Sequence, residues 1–285
     1  MDPDCGLSRS CSDLSSNGCN CLQFGSETSG NFFDIHYHNV TCTQSGKSGI
    51  GISTNDGGNI SNIEYRDVTL IGSALPISFG SGARAWQRRP PPWRVGRISN
   101  ISFTNVRALN TTWSRSPWYW PHCQHCNLTS TVDTIHPPAG PALPCNLSSP
   151  DPTPCYMRPT AADAKIVNVT MRNVSIEMSG GGQKADAAAS ADFAGPDFSG
   201  QHVAPSYGLF LRNLYDSSID GLSLSFVEND DRPALILEHC EGVSIGGEVQ
   251  LERGRGVSYD VGLRDSRSIA LPQHLRSCEY PHCDF

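Results

Sequence analysis

The residues best suited to chemistry in this chain are arginines beside tryptophans. The stretch GARAWQRRPPPWRVGR places Arg84, Arg88, Arg89, Arg94 and Arg97 next to Trp86 and Trp93. A guanidinium forks onto carboxylates and an indole face stacks on a sugar ring, so this composition suits an anionic glycan, with a solvated basic loop as the alternative. The phrase PHCQHC brings His122, Cys123, His125 and Cys126 together, and two Cys with two His can hold zinc tetrahedrally. Adjacent His-Cys pairs are poor ligand spacing, so disulfides are favoured there and no metal is expected. Trp113, Trp118, Tyr119 and Trp120 suit a sugar platform or, preferably, the small core of their own loop. His36 and His38 flank Tyr37 and read as surface residues rather than a catalytic pair. Neither a GxSxG elbow, a P-loop nor an HExxH motif occurs, and no cofactor is implied.

The 285 residues carry 21 Lys+Arg against 28 Asp+Glu, a formal net charge of −7, which argues against a nucleic-acid partner. No apolar run reaches the ~18 residues of a membrane-spanning helix. Charged residues make up only 17%, while Gly and Pro number 27 and 20, favouring short strands and turns over long surface helices. Twelve cysteines and eight Asn-x-Ser/Thr sequons point to an oxidising, extracellular or cell-wall setting. The start, MDPDCGLSRS, has no basic segment followed by an apolar one, so it is not a signal peptide. The expectation is that the true beginning of the protein lies upstream.

One phrase recurs: DIHYHNV from Asp34, NIEYRDV from Asn62, NISFTNV from Asn100 and NVTMRNV from Asn168. In each, two Asn/Asp residues stand five apart, each followed by Ile or Val, with period-2 alternation between them. Looser copies begin at Ser218 and Gly242. A sandwich gives no reason for the same dipeptide to recur at the same point; stacked coils do, because like residues then align along an axis. Asn suits such corners because it tolerates the left-handed backbone region. The expected fold is therefore all-β, a right-handed parallel β-helix (solenoid) with a long Pro/Cys-rich loop insertion. Residues 1–285 are expected to form one domain, with a Cys-rich segment or cap at 1–30, insertions at 108–164 and 179–206, and a tail at 271–285. Asn39, Asn100, Asn168 and Asn173 belong to the repeat, which leaves Asn110, Asn127 and Asn146 as the better glycan sites.

The sequence resembles the polygalacturonase-like family 28 of the glycoside hydrolases. LQFGSETSG (residues 22–30) is similar to the family's segment after its Gly-His-Gly motif. GIGISTNDGGNISNIEYRDVTL (residues 49–70) is similar to the following coil, and PSYGLFLRNL and DRPALILEHCEGVSI to the last coils. The resemblance implies a right-handed parallel β-helix, without cofactor or metal, hydrolysing galacturonan-type or related acidic polysaccharide with inversion. That chemistry needs one protonated carboxyl and a second carboxylate roughly 6.5–9.5 Å away to activate water. By resemblance, Asp4 with Cys5 in DPDC matches part of a Gly-Asp-Asp-Cys motif, with Pro3 at the first Asp. Another catalytic aspartate would precede residue 1. The family's His falls on Asn20, and its Arg and Lys on Gly51 and Ser53, none of which titrates or holds a uronate. Arg84, Arg88, Arg89, Trp86 and Trp93 follow that coil and are the candidate substrate-binding residues. The expected function is polygalacturonase-like hydrolysis by a monomer, the alternative an inactive β-helix that binds acidic cell-wall glycans. A third possibility is a fragment whose open stack end needs a cap to fold.

Overall fold

The computed structural model describes residues 20–25, 28–45, 48–54, 57–81, 83–84, 96–111, 156–157, 165–188 and 205–283. Sixteen strands follow in order: β1 (Leu22–Phe24), β2 (Phe32–Thr43), β3 (Ser48–Thr54), β4 (Ile60–Ile71), β5 (Leu75–Ser81), β6 (Ala83–Arg84), β7 (Ile98–Leu109) and β8 (Tyr156–Met157). Then come β9 (Ile166–Gly180), β10 (Leu209–Arg212), β11 (Leu214–Glu228), β12 (Leu235–Glu238), β13 (Glu241–Gly246), β14 (Gln250–Leu251), β15 (Val261–Arg264) and β16 (Ser277–Glu279). The described residues include no α-helix; a single 3-10 turn spans Lys184–Ala188.

The strands form one long parallel sheet, β13-β11-β9-β7-β4-β2, and two shorter parallel sheets, β1-β3-β5 and β10-β12-β15-β16. Short strands precede the long ones β2, β4, β7, β9 and β11, while β12 to β16 are all short. This all-β arrangement of stacked parallel strands is consistent with a β-helix or solenoid-like fold. Among the described residues only β6 and β8 pair antiparallel. The expected C-terminal tail contributes β16, paired with β15. The described part of the 179–206 insertion holds the end of β9 and the 3-10 turn.

The repeated phrases stack in register. Tyr37 pairs with Tyr65, Tyr65 with Phe103, Phe103 with Met171, Met171 with Ile219 and Ile219 with Ile245. These side chains form one inward row. Its aromatic members stack face to face, with ring centroids 5.2 Å apart for Tyr37–Tyr65 and 5.1 Å for Tyr65–Phe103. Parallel rows of Ile63/Ile101/Val169 and Val68/Val106/Val174/Leu222 complete the core. A side-chain period of two on a parallel strand lets every coil bury the same positions, so each new coil extends the rows already built.

What turns the chain at the ends of each phrase is the left-handed backbone. Asp34, Asn62, Asn100 and Asn168 have φ of +56° to +57°, and Asn39, Asp67, Asn105 and Asn173 of +54° to +55°. For most L-residues that conformation costs about 1–2 kcal/mol, and Asn is among the few that adopt it readily. The carboxamides also bond to one another between coils. Asn62 Nδ2 donates to Asp34 Oδ1 at 3.0 Å, Asn100 to Asn62 at 2.9 Å and Asn168 to Asn100 at 2.8 Å. In the second column Asn105 donates to Asp67 and Asn173 to Asn105, each at 2.8 Å. Every donor points toward the preceding coil. An Asp has no side-chain N–H, so it fits at the acceptor end of a column, where Asp34 and Asp67 stand.

Two disulfides lie among the described residues. Cys21–Cys42 ties the start of β1 to β2, and Cys278–Cys283 closes a loop after β16. Both agree with an oxidising environment.

The ladders make a graded prediction. Asn100→Ala loses two inter-coil bonds and meets the left-handed penalty, so it should destabilise by about 2–4 kcal/mol. Asn100→Gly loses the bonds but not the conformation and should cost clearly less. Equilibrium urea unfolding of both variants checks the order; equal losses would refute the left-handed penalty and leave the lost bonds as the whole cost. Glycopeptide mapping should also find Asn100, Asn168 and Asn173 unmodified, since each Nδ2 is committed to a neighbour.

Candidate functional site

The short-strand sheets carry the positions singled out by sequence. On β3 the residues Ile50 and Ile52 enter the core, and Gly51 and Ser53 alternate with them on the opposite side of the strand, where they are buried as well. Gly51 pairs with Gln23 of β1 and Ser78 of β5. A Cβ at Gly51 would sit 1.7 Å from Gln23 Oε1, so the Gln23 amide occupies the space a longer side chain would need. Gln23 Oε1 and Ser53 Oγ are both buried without a hydrogen bond. Asn20 Oδ1 accepts from the Ser48 amide at 3.0 Å, and Ser48 Oγ lies 2.8 Å from Ser78 Oγ. The structure thus gathers Asn20, Gly51 and Ser53 into one uncharged, closely packed patch. A side chain at Gly51 would require the Gln23 amide to move aside, and neither Gly51 nor Ser53 presents charge to a ligand.

Asp4, Arg88, Arg89, Trp86 and Trp93 lie outside the described residues, as do His122, Cys123, His125, Cys126 and the aromatic cluster from Trp113 to Trp120. Arg84 is placed through its backbone alone, paired with Tyr156.

On the second short sheet the outward positions carry charge that sequence reasoning missed. Arg212, Glu238 and Arg264 are register partners on β10, β12 and β15. Arg212 Nη2 donates to Glu238 Oε1 at 2.5 Å and Arg264 Nη1 to Glu238 Oε2 at 3.2 Å. Arg264 also donates to the Ala187 carbonyl, which fastens the 3-10 turn onto this face. Its guanidinium carbon lies 5.2 Å from the Tyr280 ring centre, and that of Arg212 5.4 Å from the Phe210 ring centre. The three strands end in left-handed Asn213, His239 and Asp265. A signal was present: LFLRN, LILEH and VGLRD recur every 26 residues, each with a charged residue before the corner.

A groove of about 450 Å³ lies between β11 and β14, lined in part by Glu252, Arg253, Asp260 and His274. Its acids are engaged. Arg253 grips Asp260 through three contacts of 2.6–2.9 Å, Asp260 Oδ2 also accepts from the Arg276 amide, and Glu252 Oε2 accepts from the Phe226 amide at 3.1 Å. Deeper still, Asp230 and Arg232 form a pair 0% and 2% exposed, and Asp230 also holds the Gly182 amide at 2.9 Å. These carboxylates fasten loops to the stack.

Two further groups have shifted acidity. Cys240, the free cysteine among the described residues, is buried, and burial pushes its thiol up to about 11. Its S–H donates to the Leu211 and Glu238 carbonyls. On the outer face of the long sheet, hydrogen bonds from His36, then His38 and Arg66, draw Glu64 down to about 2.

No protein-family model, curated protein or solved structure matches the chain.

Two outcomes are expected here. Glu238→Gln removes the carboxylate charge shared by two guanidiniums in a largely buried setting and should destabilise by about 3 kcal/mol or more, read by thermal or urea unfolding. A thiol titrating near 11 is almost wholly protonated at neutral pH, so Cys240 should resist alkylation in the native protein and react on unfolding. Rapid native labelling at Cys240, located by peptide mass, would contradict its burial.

Proposed function

We propose that the chain is a right-handed parallel β-helix of the polygalacturonase-like kind, secreted or lodged in a cell wall, that engages a pectic (galacturonan-type) or related acidic polysaccharide. The observation that carries this proposal is the β3–β4 coil. The resemblance to the family rests on residues 49–70, and those residues make one short, buried strand and one corner-bounded long strand of a parallel stack. The two disulfides support the extracellular setting. Stacked outward faces offer an extended surface on which successive sugar residues can lie, and the Arg/Trp stretch that follows β5 supplies cations and aromatic faces suited to uronates.

Within this proposal, inverting hydrolysis is what the resemblance implies. Water would attack the anomeric carbon, activated by a carboxylate, with Asp4 at a catalytic position. Binding without cleavage is favoured by a specific observation: Gly51, Ser53, Gln23 and Ser78 make the outer face of β1-β3-β5 uncharged, and the Gln23 amide fills the place of a substrate-clamping side chain. That arrangement weighs against turnover by the family's mechanism, and acidic-glycan binding is carried by the Arg/Trp stretch rather than by this face.

Polygalacturonate and other uronic-acid glycans separate these cases. Release of reducing ends with inverted anomeric configuration would establish hydrolysis. Retained affinity without new reducing ends, abolished by Arg88→Ala with Arg89→Ala, is the result expected for binding. Neither cleavage nor affinity for any acidic glycan would overturn the proposal as a whole.

A further inference from the structure

Among the described residues, metal-ligating atoms converge at one place, on the outer face of the long sheet. His36 and His38 are two apart on β2, so both imidazoles leave the same face while Tyr37 between them enters the core. Glu64 is the register partner of His36 on β4. His36 Nδ1 lies 2.9 Å and His38 Nε2 3.2 Å from the same oxygen, Glu64 Oε2. One donor atom from each residue falls within 4.8 Å of the others. The imidazoles are 57% and 49% exposed, leaving a solvent-facing side open. Glu64 Oε1 is held by Arg66, which orients the carboxylate so that Oε2 faces the histidines.

We propose that His36, His38 and Glu64 form a binding site for a divalent transition-metal ion of the zinc class, with water completing the coordination. Two imidazoles and one carboxylate are a ligand set zinc accepts in sites that keep an open position. Bonds of about 2.0–2.1 Å in a tetrahedron place ligand atoms roughly 3.3 Å apart. The separations of 2.9 and 3.2 Å from Glu64 Oε2 therefore need to open by only a few tenths of an ångström. The next coil places Ser102 and Thr104 opposite Glu64 and Arg66, so β7 adds no competing charge there. Arg66 is the nearby cation. Its charge, and the lack of a second hydrogen-bond partner for either imidazole among the described residues, set a moderate rather than tight affinity. The site does not depend on the glycan proposal: it lies on the long sheet, away from Gly51 and Ser53.

The test uses the full-length protein, with Zn²⁺ as the only ligand in calorimetric titration and Co²⁺ as a visible probe of the coordination sphere. Wild type should bind one equivalent more than the double variant His36→Ala, His38→Ala and should give a ligand-field band that the variant lacks. Glu64→Gln, which keeps shape and removes charge, should weaken that equivalent by roughly tenfold or more. All three substituted residues are on the surface, and an unchanged unfolding midpoint confirms that the variants fold. Zn²⁺ binding unaltered in the double variant would overturn the proposal. Binding lost there but untouched by Glu64→Gln would overturn the three-ligand assignment.

Discussion

A carboxamide that bonds to the same carboxamide one coil away sets the terms for the rest of this structure. Parallel strands lie about 4.8 Å apart, and a left-handed corner points each Asn side chain along the stack, so Nδ2 of one coil meets Oδ1 of the one before. The contact works only in register. A slip by one residue would take both corners out of the left-handed column and turn every inward side chain outward. The stacking of Tyr65 on Phe103 and the rows of Ile and Val beneath them depend on the same alignment. Hydrophobic burial supplies most of the free energy, and the ladder decides which alignment collects it.

This division explains how the chain tolerates unequal coils. Ladder partners are separated by 28, 38 and 68 residues, so excursions of very different length leave between strands and return to the same corner. Loop closure grows only logarithmically in free energy, so a long excursion adds little if both ends are anchored. In the last coils the anchoring changes. Asp216 and Gly221, then Gly242 and Gly247, occupy the left-handed positions. Glycine adopts that backbone without a side chain to bond. Charged groups take over as inter-coil ties there: Glu238 between Arg212 and Arg264, Arg267 to Glu241, and the buried Asp230 carboxylate on the Gly182 amide.

The corners are legible in the sequence because two Asn/Asp residues five apart, each before Ile or Val, satisfy a backbone requirement that few residue types meet. Parallel pairing and the inward rows follow from them. The charged row of the second short sheet is harder to read: its members sit on separate strands 26 residues apart, and their attraction exists only once those strands are adjacent. Gly51 and Ser53 show the opposite difficulty. From sequence they look like replaced substrate contacts; the fold adds that the Gln23 amide lies over Gly51, a neighbour that only the strand pairing brings there. His36 and His38 read correctly as surface residues, but their convergence on Glu64 depends on a register partner that sequence alone does not pair with them. Asp4 and the residues of the Arg/Trp stretch from Trp86 to Trp93 are beyond the described part of the fold, so the function rests on resemblance there.

The most direct test of the ladder is hydrogen exchange of the side-chain amides, followed by NMR on the protein labelled at asparagine. The Nδ2 protons of Asn62, Asn100, Asn105, Asn168 and Asn173 should exchange slowly as a group and show through-space contacts to the ladder residue of the preceding coil. If those five amides exchange as fast as solvent-exposed asparagines, the corners are not coupled and the stack is held in register by some other interaction.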